Sequence, residues 1–164
     1  MAAVKPSCRA EAGLTLTEVS VVMIIGTIIM AGLVGFYLAS QGLWLDASTQ
    51  AITQREATLV ASAIRDSVRV ANRAVASSVP DALHQQLALY RTADDQTPTY
   101  YFWWDSNDSL IHAGTTIGIS GPMVTSHAER FQVTSGPQSV RVDLRLRSAT
   151  GTMVDMGTLA VFMN

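Results

Sequence analysis

Hydrophobic and polar positions divide this chain into stretches that obey different rules. Residues 19–45 are 27 consecutive positions without one Asp, Glu, Lys or Arg. A run that long and apolar predicts a membrane-spanning helix, because in lipid a helix satisfies its own backbone donors and acceptors. Its length as a helix is about 40 Å, against a hydrocarbon thickness of roughly 30 Å, so it tilts or its last turns leave the bilayer. Residues 46–76 contain neither Pro nor Gly, and the frequent Ala, Gln, Arg and Glu favour helix. Apolar positions recur there at Ile52, Leu59, Ala63 and Val70, and at Val60, Ile64, Val68, Ala71 and Val75. Spacings of three, four and seven put them on one broad face, with Gln54, Glu56, Asp66 and Arg73 opposite. The two stretches together predict one rod over residues 14–76, roughly 95 Å long if unbroken, with room for a kink near Gly42.

Pro80 ends the helical region or opens the next turn. Residues 81–90 read as a short helix capped by Ser78 or Asp81, with Leu83, Leu87 and Tyr90 on one face and His84 pointing elsewhere. A polar link over 94–98 follows. From Thr99 the signals are those of strands. Residues 100–104 (YYFWW) are dense in aromatic strand formers, residues 105–109 (DSNDS) make a turn, and the extended chain resumes at 110–112. That is a hairpin, with Tyr100, Phe102 and Trp104 facing the helix and Tyr101 and Trp103 facing outward, toward a neighbour or under a loop. Residues 114–122 form a loop without the pattern of a phosphate-binding loop. Phe131 and Val133 alternate in a short strand. The clearest strand covers 139–148, where Val140, Val142, Leu144 and Leu146 face one way and Arg141, Asp143, Arg145 and Arg147 the other. Residues 149–152 turn the chain into a last strand at about 158–162. The expected fold class is α+β: a long N-terminal transmembrane and amphipathic helix packed on a C-terminal antiparallel sheet.

Charge and chemistry narrow the function. The net charge of −2 carries neither a basic tail nor an acidic block. The only cysteine, Cys8, precedes the uncharged run, so neither a disulfide framework nor a thiolate centre is expected beyond it. His84, His112 and His127 lack the spacing of a metal site, and Ser126, His127 and Glu129 come without an oxyanion-hole motif. Asp105, Asn107 and Asp108 lack the spacing and closing Glu of a calcium loop and read as a surface turn. No enzymatic activity, metal or cofactor is expected. Lys5 and Arg9 precede the run, while Asp46, Arg55, Glu56 and Arg65 cancel after it. The positive-inside rule then puts the N-terminus in the cytoplasm and the C-terminal domain across the membrane.

Residues 13–19 read GLTLTEV. With a short basic leader before them and an uncharged run after, they resemble the cleavage and methylation signal of type IV prepilins and type II secretion pseudopilins. The resemblance implies a leader at residues 1–13, cleavage by a prepilin peptidase between Gly13 and Leu14, and methylation of the new amine on Leu14. It also implies that Glu18 meets the N-terminal amine of a neighbouring subunit and sets assembly register. Leu14 stands where the family has Phe or Met, and Thr17 where it has an aliphatic residue, which points to a minor or divergent subunit. The order of elements in the last 40 residues also resembles minor pilins and the larger minor pseudopilins. On this reading residues 14–43 are the assembly half of the helix, 44–79 its amphipathic half, and 80–164 the globular domain. Gly26, Gly32 and Gly35 would allow close helix approach or local flexibility. The expected partners are the peptidase, other pilin or pseudopilin subunits and an inner-membrane assembly platform; the expected location is the inner membrane, then a pilus or pseudopilus. Two alternatives remain open. One is a DNA-capturing competence pilin, in which Arg65, Arg69, Arg73, Arg141, Arg145 and Arg147 contact nucleic acid or a partner's acidic surface. The other is a single-pass anchored domain that never assembles.

Overall fold

A computed structural model describes residues 15–78, 83–92, 94–119 and 121–163. Its order is one helix, α1 (Leu16–Val70), then seven strands: β1 (Arg73–Ser78), β2 (Gln85–Tyr90), β3 (Tyr100–Trp104), β4 (Ile111–Gly114), β5 (His127–Ser135), β6 (Ser139–Arg147) and β7 (Met153–Val161). The strands form two antiparallel meanders, β1-β2-β3-β4 and β5-β6-β7. The α+β class expected from the sequence is the class observed. The chain divides into two compact units, Met1–Leu43 and Trp44–Asn164.

In the first unit, α1 runs without interruption through Gly26, Gly32, Gly35 and Gly42. A Cβ added at any of the four would meet nothing within 4 Å. Every described residue of α1 up to Leu43 is exposed. Among the described residues α1 is the one helix long and apolar enough to cross a membrane.

The second unit is built around the later part of α1. Thr53, Ala57, Val60, Ala61, Ile64 and Val68 are buried, a set that follows the helical repeat. Ala57, Val60, Ile64 and Val68 share one core with inward residues of both sheets, among them Leu87 and Leu89 of β2, Phe102 of β3, Phe131 of β5, and Val140, Val142, Leu144 and Leu146 of β6. The face expected to be one broad apolar surface is in fact split. Ile52, Leu59 and Val70 lie outside the core, exposed by 55%, 51% and 76%.

Three expectations about where elements begin and end need correction. The helix ends at Val70, not near Ala76, and residues 73–78 are β1. The reason is tertiary pairing: the Asn72 backbone N–H donates to Tyr90 O at 2.9 Å, its Nδ2 donates to Arg91 O at 2.6 Å, and β1 then pairs residue by residue with β2. That ladder outweighs the modest helix propensity of RAVASS. Residues 85–90 are a strand rather than part of a short helix, because Leu87 and Leu89 are core positions of a strand held between β1 and β3. Asp81, one of the two expected caps, lies outside the described residues, and Ser78 closes β1. Finally, β7 begins at Met153 rather than Thr158 and pairs with β6 along all nine of its residues.

The β3–β4 hairpin forms as expected. Phe102 is buried, with Tyr100 and Trp104 packed against the same core. Trp103, expected to face outward, is instead buried on the other face, its ring stacked on His112 at 5.5 Å. The turn from β6 to β7 closes with Ser148 N donating to Thr152 O at 2.9 Å and Gly151 N to Ser148 O at 3.0 Å. Gly151 has φ +88°, the left-handed conformation that glycine adopts without penalty. The two sheets meet at a seam. Phe131 N donates to Leu83 O at 3.0 Å, and Val133 N donates to Gln85 Oε1 at 2.7 Å. His84 is buried there, its ring stacked on Trp104 at 3.7 Å.

Candidate assembly helix and the charged surface

The start of α1 is a reciprocal cap. The backbone N–H of Thr15 donates to Glu18 Oε2 at 2.9 Å, and Glu18 N donates to Thr15 Oγ1 at 3.3 Å. The Thr15 hydroxyl also donates to Glu18 Oε2 at 3.0 Å. This is the geometry of a capping box, which satisfies backbone N–H groups that a helix start leaves unpaired. The negative side chain also sits at the positive end of the helix dipole. Glu18 therefore has a local role within its own chain. Gly13 and Leu14, the expected cleavage and methylation positions, lie outside the described residues, as do Lys5, Cys8 and Arg9.

Beyond Glu18 the polar side chains of the uncharged run are largely satisfied inside the helix. Ser20 Oγ donates to Leu16 O at 2.9 Å, Thr27 Oγ1 to Met23 O at 2.6 Å, and Gln41 Nε2 to Tyr37 Oη at 2.7 Å. Such internal pairing lowers the cost of carrying hydroxyls into an apolar medium. What remains outward is a surface of Val, Ile, Met and Leu, with Tyr37 and Trp44 toward its far end. Aromatic residues at that position suit a membrane–water interface.

In the second unit polar contacts fix α1 to the loop before β5. Glu56 accepts from Thr125 N at 3.0 Å, Thr125 Oγ1 at 2.6 Å and Ser126 N at 2.9 Å. Burial pushes the Glu56 carboxyl up, and the hydrogen bonds from Ser126 and Thr125 outweigh it, so the group is held below the ordinary carboxylate value. One turn earlier Thr53 and Ser126 share a hydrogen bond at 3.2 Å, and Thr49 meets Thr150 in the β6–β7 turn at 3.1 Å. The sequence marked Glu56 only as a polar position opposite the core face; the hydroxyl pair Thr125–Ser126 was the available signal for its partner.

The arginines expected as a possible contact surface do not form one array. The helix ends before Arg73, so Arg65, Arg69 and Arg73 do not continue one helical stripe. Arg65 Nη2 donates to Thr158 Oγ1 at 3.1 Å. Arg73 lies over the Tyr90 ring at 4.0 Å and donates to Asp95 O at 3.0 Å. On the outer face of β6, Arg141 pairs with Asp143 at 3.1 Å, Arg145 with Asp155 at 2.6 Å, and Arg147 with Glu129 at 3.1 Å. The hydrogen bond from Arg145 holds the Asp155 carboxyl below its usual range. Each of these three guanidinium groups already faces a carboxylate, which leaves the sheet a mixed-charge face rather than a basic track for phosphates.

The turn before β4 is organised by its own side chains. Asp105 Oδ1 accepts from Asn107 N and Nδ2, both at 2.9 Å, and Asp108 Oδ1 accepts from Leu110 N at 2.9 Å. Asp108 Oδ2 meets His112 Nε2 at 2.8 Å. Ligand atoms of Asp105, Asp108 and His112 lie within 4.8 Å of one another. Their internal hydrogen bonds account for that spacing as turn chemistry. No family model, curated protein or solved structure matches the chain.

Proposed function

We propose that the chain is a minor pilin or pseudopilin subunit. It is made with a leader at residues 1–13, cut between Gly13 and Leu14, methylated on Leu14 and held in the inner membrane with its N-terminus cytoplasmic. It then joins, or primes, a pilus-like or secretion filament through α1. The carrying observation is the junction at residues 13–18: a Gly, a capped helix start and one carboxylate, followed by an uncharged helical surface exposed in the isolated chain. A surface of that size left uncovered in water is expensive. Lipid covers it before assembly, and the helices of neighbouring subunits cover it afterward. Glu18 is the one early charge on that surface, and a carboxylate carried into an apolar bundle requires a partner. The free amine of an adjoining subunit supplies one and fixes the stagger between the two.

The peptidase, companion subunits and an assembly platform are the partners this function needs. The arginine pairings on β6 give the competence reading no support. Intact-mass analysis of protein extracted from a membrane containing the peptidase tests the proposal. The expected mass lacks residues 1–13 and carries one added methyl group; a chain that still began at Met1 would leave only an anchored domain.

A further inference from the structure

The sheet β5-β6-β7 has two edges, and among the described residues the chain closes one of them. Along β5, N–H groups that β6 does not take are used elsewhere. Ala128 N donates to Ser109 O at 2.8 Å, Phe131 N to Leu83 O at 3.0 Å and Val133 N to Gln85 Oε1 at 2.7 Å. The β6–β7 ladder is bracketed by Ser148 N donating to Thr152 O at 2.9 Å and Phe162 N donating to Gln138 O at 3.1 Å, with one continuous register between them. Antiparallel pairs alternate, so Val154, Met156, Thr158 and Ala160 hold their N–H and C=O toward β6. Met153, Asp155, Gly157, Leu159 and Val161 hold theirs toward the open edge, and no described residue pairs with them. The side chains of Met153, Leu159 and Val161 are 47%, 60% and 51% exposed. Residues 153–161 contain neither Pro nor Lys, two common guards of an edge strand. The one charge of the strand, Asp155, is already paired with Arg145 at 2.6 Å.

We infer that the open edge of β7 takes an extended segment of a different polypeptide as an added antiparallel strand. A row of unpaired backbone donors and acceptors at fixed spacing is matched by another extended backbone, and alternate side chains then supply selectivity. Antiparallel addition continues the pattern of the sheet. Residues of the added strand opposite Met153, Leu159 and Val161 lie beside exposed apolar side chains, so apolar residues suit those positions. Gly157 leaves a gap in that row. A Cβ there would lie 3.1 Å from Asp143 Oδ1, and the open depression beside it, about 330 Å³, is bordered by Arg130, Arg141 and Asp155. A long or aromatic residue opposite Gly157 covers the bare backbone. The segment is thus apolar at every second position, with its largest side chain opposite Gly157.

A second copy of β7 does not fit this edge. Thr49 meets Thr150 at 3.1 Å, and Arg65 meets Thr158 at 3.1 Å, so α1 and β7 run in the same direction. The two contacts are roughly 25 Å apart along the helix and a similar length apart along the chain into β7. Antiparallel β7 strands would turn the α1 helices of two copies in opposite directions, whereas copies anchored by α1 in one membrane leave it the same way. The choice of partner rests on the reading that α1 anchors the chain; the open edge itself does not.

Photocrosslinking in the intact cells that naturally make the full chain tests this. The photoreactive residue p-benzoylphenylalanine replaces Leu159 at the open edge or, as a control, Thr134 on the outer face at the closed edge. The adduct expected from the first site joins the chain to a different protein. Asp155→Pro and Val161→Pro each delete one N–H that faces the edge and leave the ladder with β6 intact, so each should lower that adduct at least several-fold. Asp155→Ala and Val161→Ala keep the N–H and should retain most of it. This dependence on the edge N–H groups, rather than capture itself, is the support. Unfolding midpoints of the purified variants check the domain, and Val161→Pro, at the end of the strand, decides the matter if Asp155→Pro does not fold. A folded proline variant that crosslinks as well as its alanine counterpart, equal adduct at Thr134, adduct only with a second copy, or no adduct at all overturns the added strand. Mass analysis of the same samples reads the loss of residues 1–13, so the proposed filament function stands or falls separately.

Discussion

Residues 16–43 and 44–70 of α1 are one continuous helix, yet they bury their apolar surface by different means. The later segment uses its own chain. Val60, Ile64 and Val68 are fully buried against the two sheets, and Glu56 is tied to Thr125 and Ser126. Among the described residues nothing covers the earlier segment in this way, although it is the more apolar. The difference shows that hydrophobicity alone does not locate a core. A core needs facing elements with matching periodicity, and the early segment, apolar on all sides, matches lipid or several helices equally well.

Substitutions should separate the two segments. The largest effect is expected from Glu18→Ala: leader processing survives, the domain folds, and incorporation into filaments is lost, as read by mass and by sedimentation of sheared filaments. Normal incorporation of that variant would remove the register role proposed for Glu18. Next, Ile64→Ala should destabilise the domain by about 2–5 kcal/mol through lost burial and a residual cavity. Ile28→Ala, the same change in the exposed run, should leave the thermal unfolding midpoint of the domain where it was. A similar loss from both would mean that the early segment also contributes to the fold. Glu56→Ala should cost about 1–2 kcal/mol, less than a fully buried charged hydrogen bond because the site is partly solvated. The folded-state value of Glu56 is depressed, so its contribution is complete above the ordinary Glu value of about 4.3 and fades as pH falls through the lower folded value. A denaturation series between about pH 6 and 3 should show that loss in the parent and less of it in Glu56→Gln. The smallest effect belongs to Arg141→Ala, about 0–1 kcal/mol, since its pair with Asp143 lies on the surface.

The sequence was most legible where one periodicity dominates. The uncharged run is helical by length and composition, and the strict alternation from Val140 to Arg147 fixes both the strand and its inward face. Legibility failed where pairing between distant segments decided the outcome. Nothing local to RAVASS at residues 73–78 excludes helix; the decision lies with Tyr90 and Arg91, which capture Asn72. Leu83 and Leu87 have helical spacing, but Leu87 and Leu89 have strand spacing, and neighbouring strands selected the second. At the candidate site the apolar run and Glu18 were readable. The capping partner Thr15 could have been anticipated from the T-x-x-E spacing of residues 15–18, a known helix-start signal. The neutralised arginines were not, because their carboxylate partners come from other strands in two cases of three.

Both sheets are simple meanders, in which every hydrogen-bonded neighbour is also the next strand along the chain. Short loops close early and at little entropic expense, so each hairpin can form before residues further along are available. The long-range steps are the seam at residues 83–85 and the docking of both sheets on the amphipathic helix. Folding is thus expected to proceed hairpin by hairpin in step with delivery of the polypeptide, with closure over the helix as the late, rate-setting event.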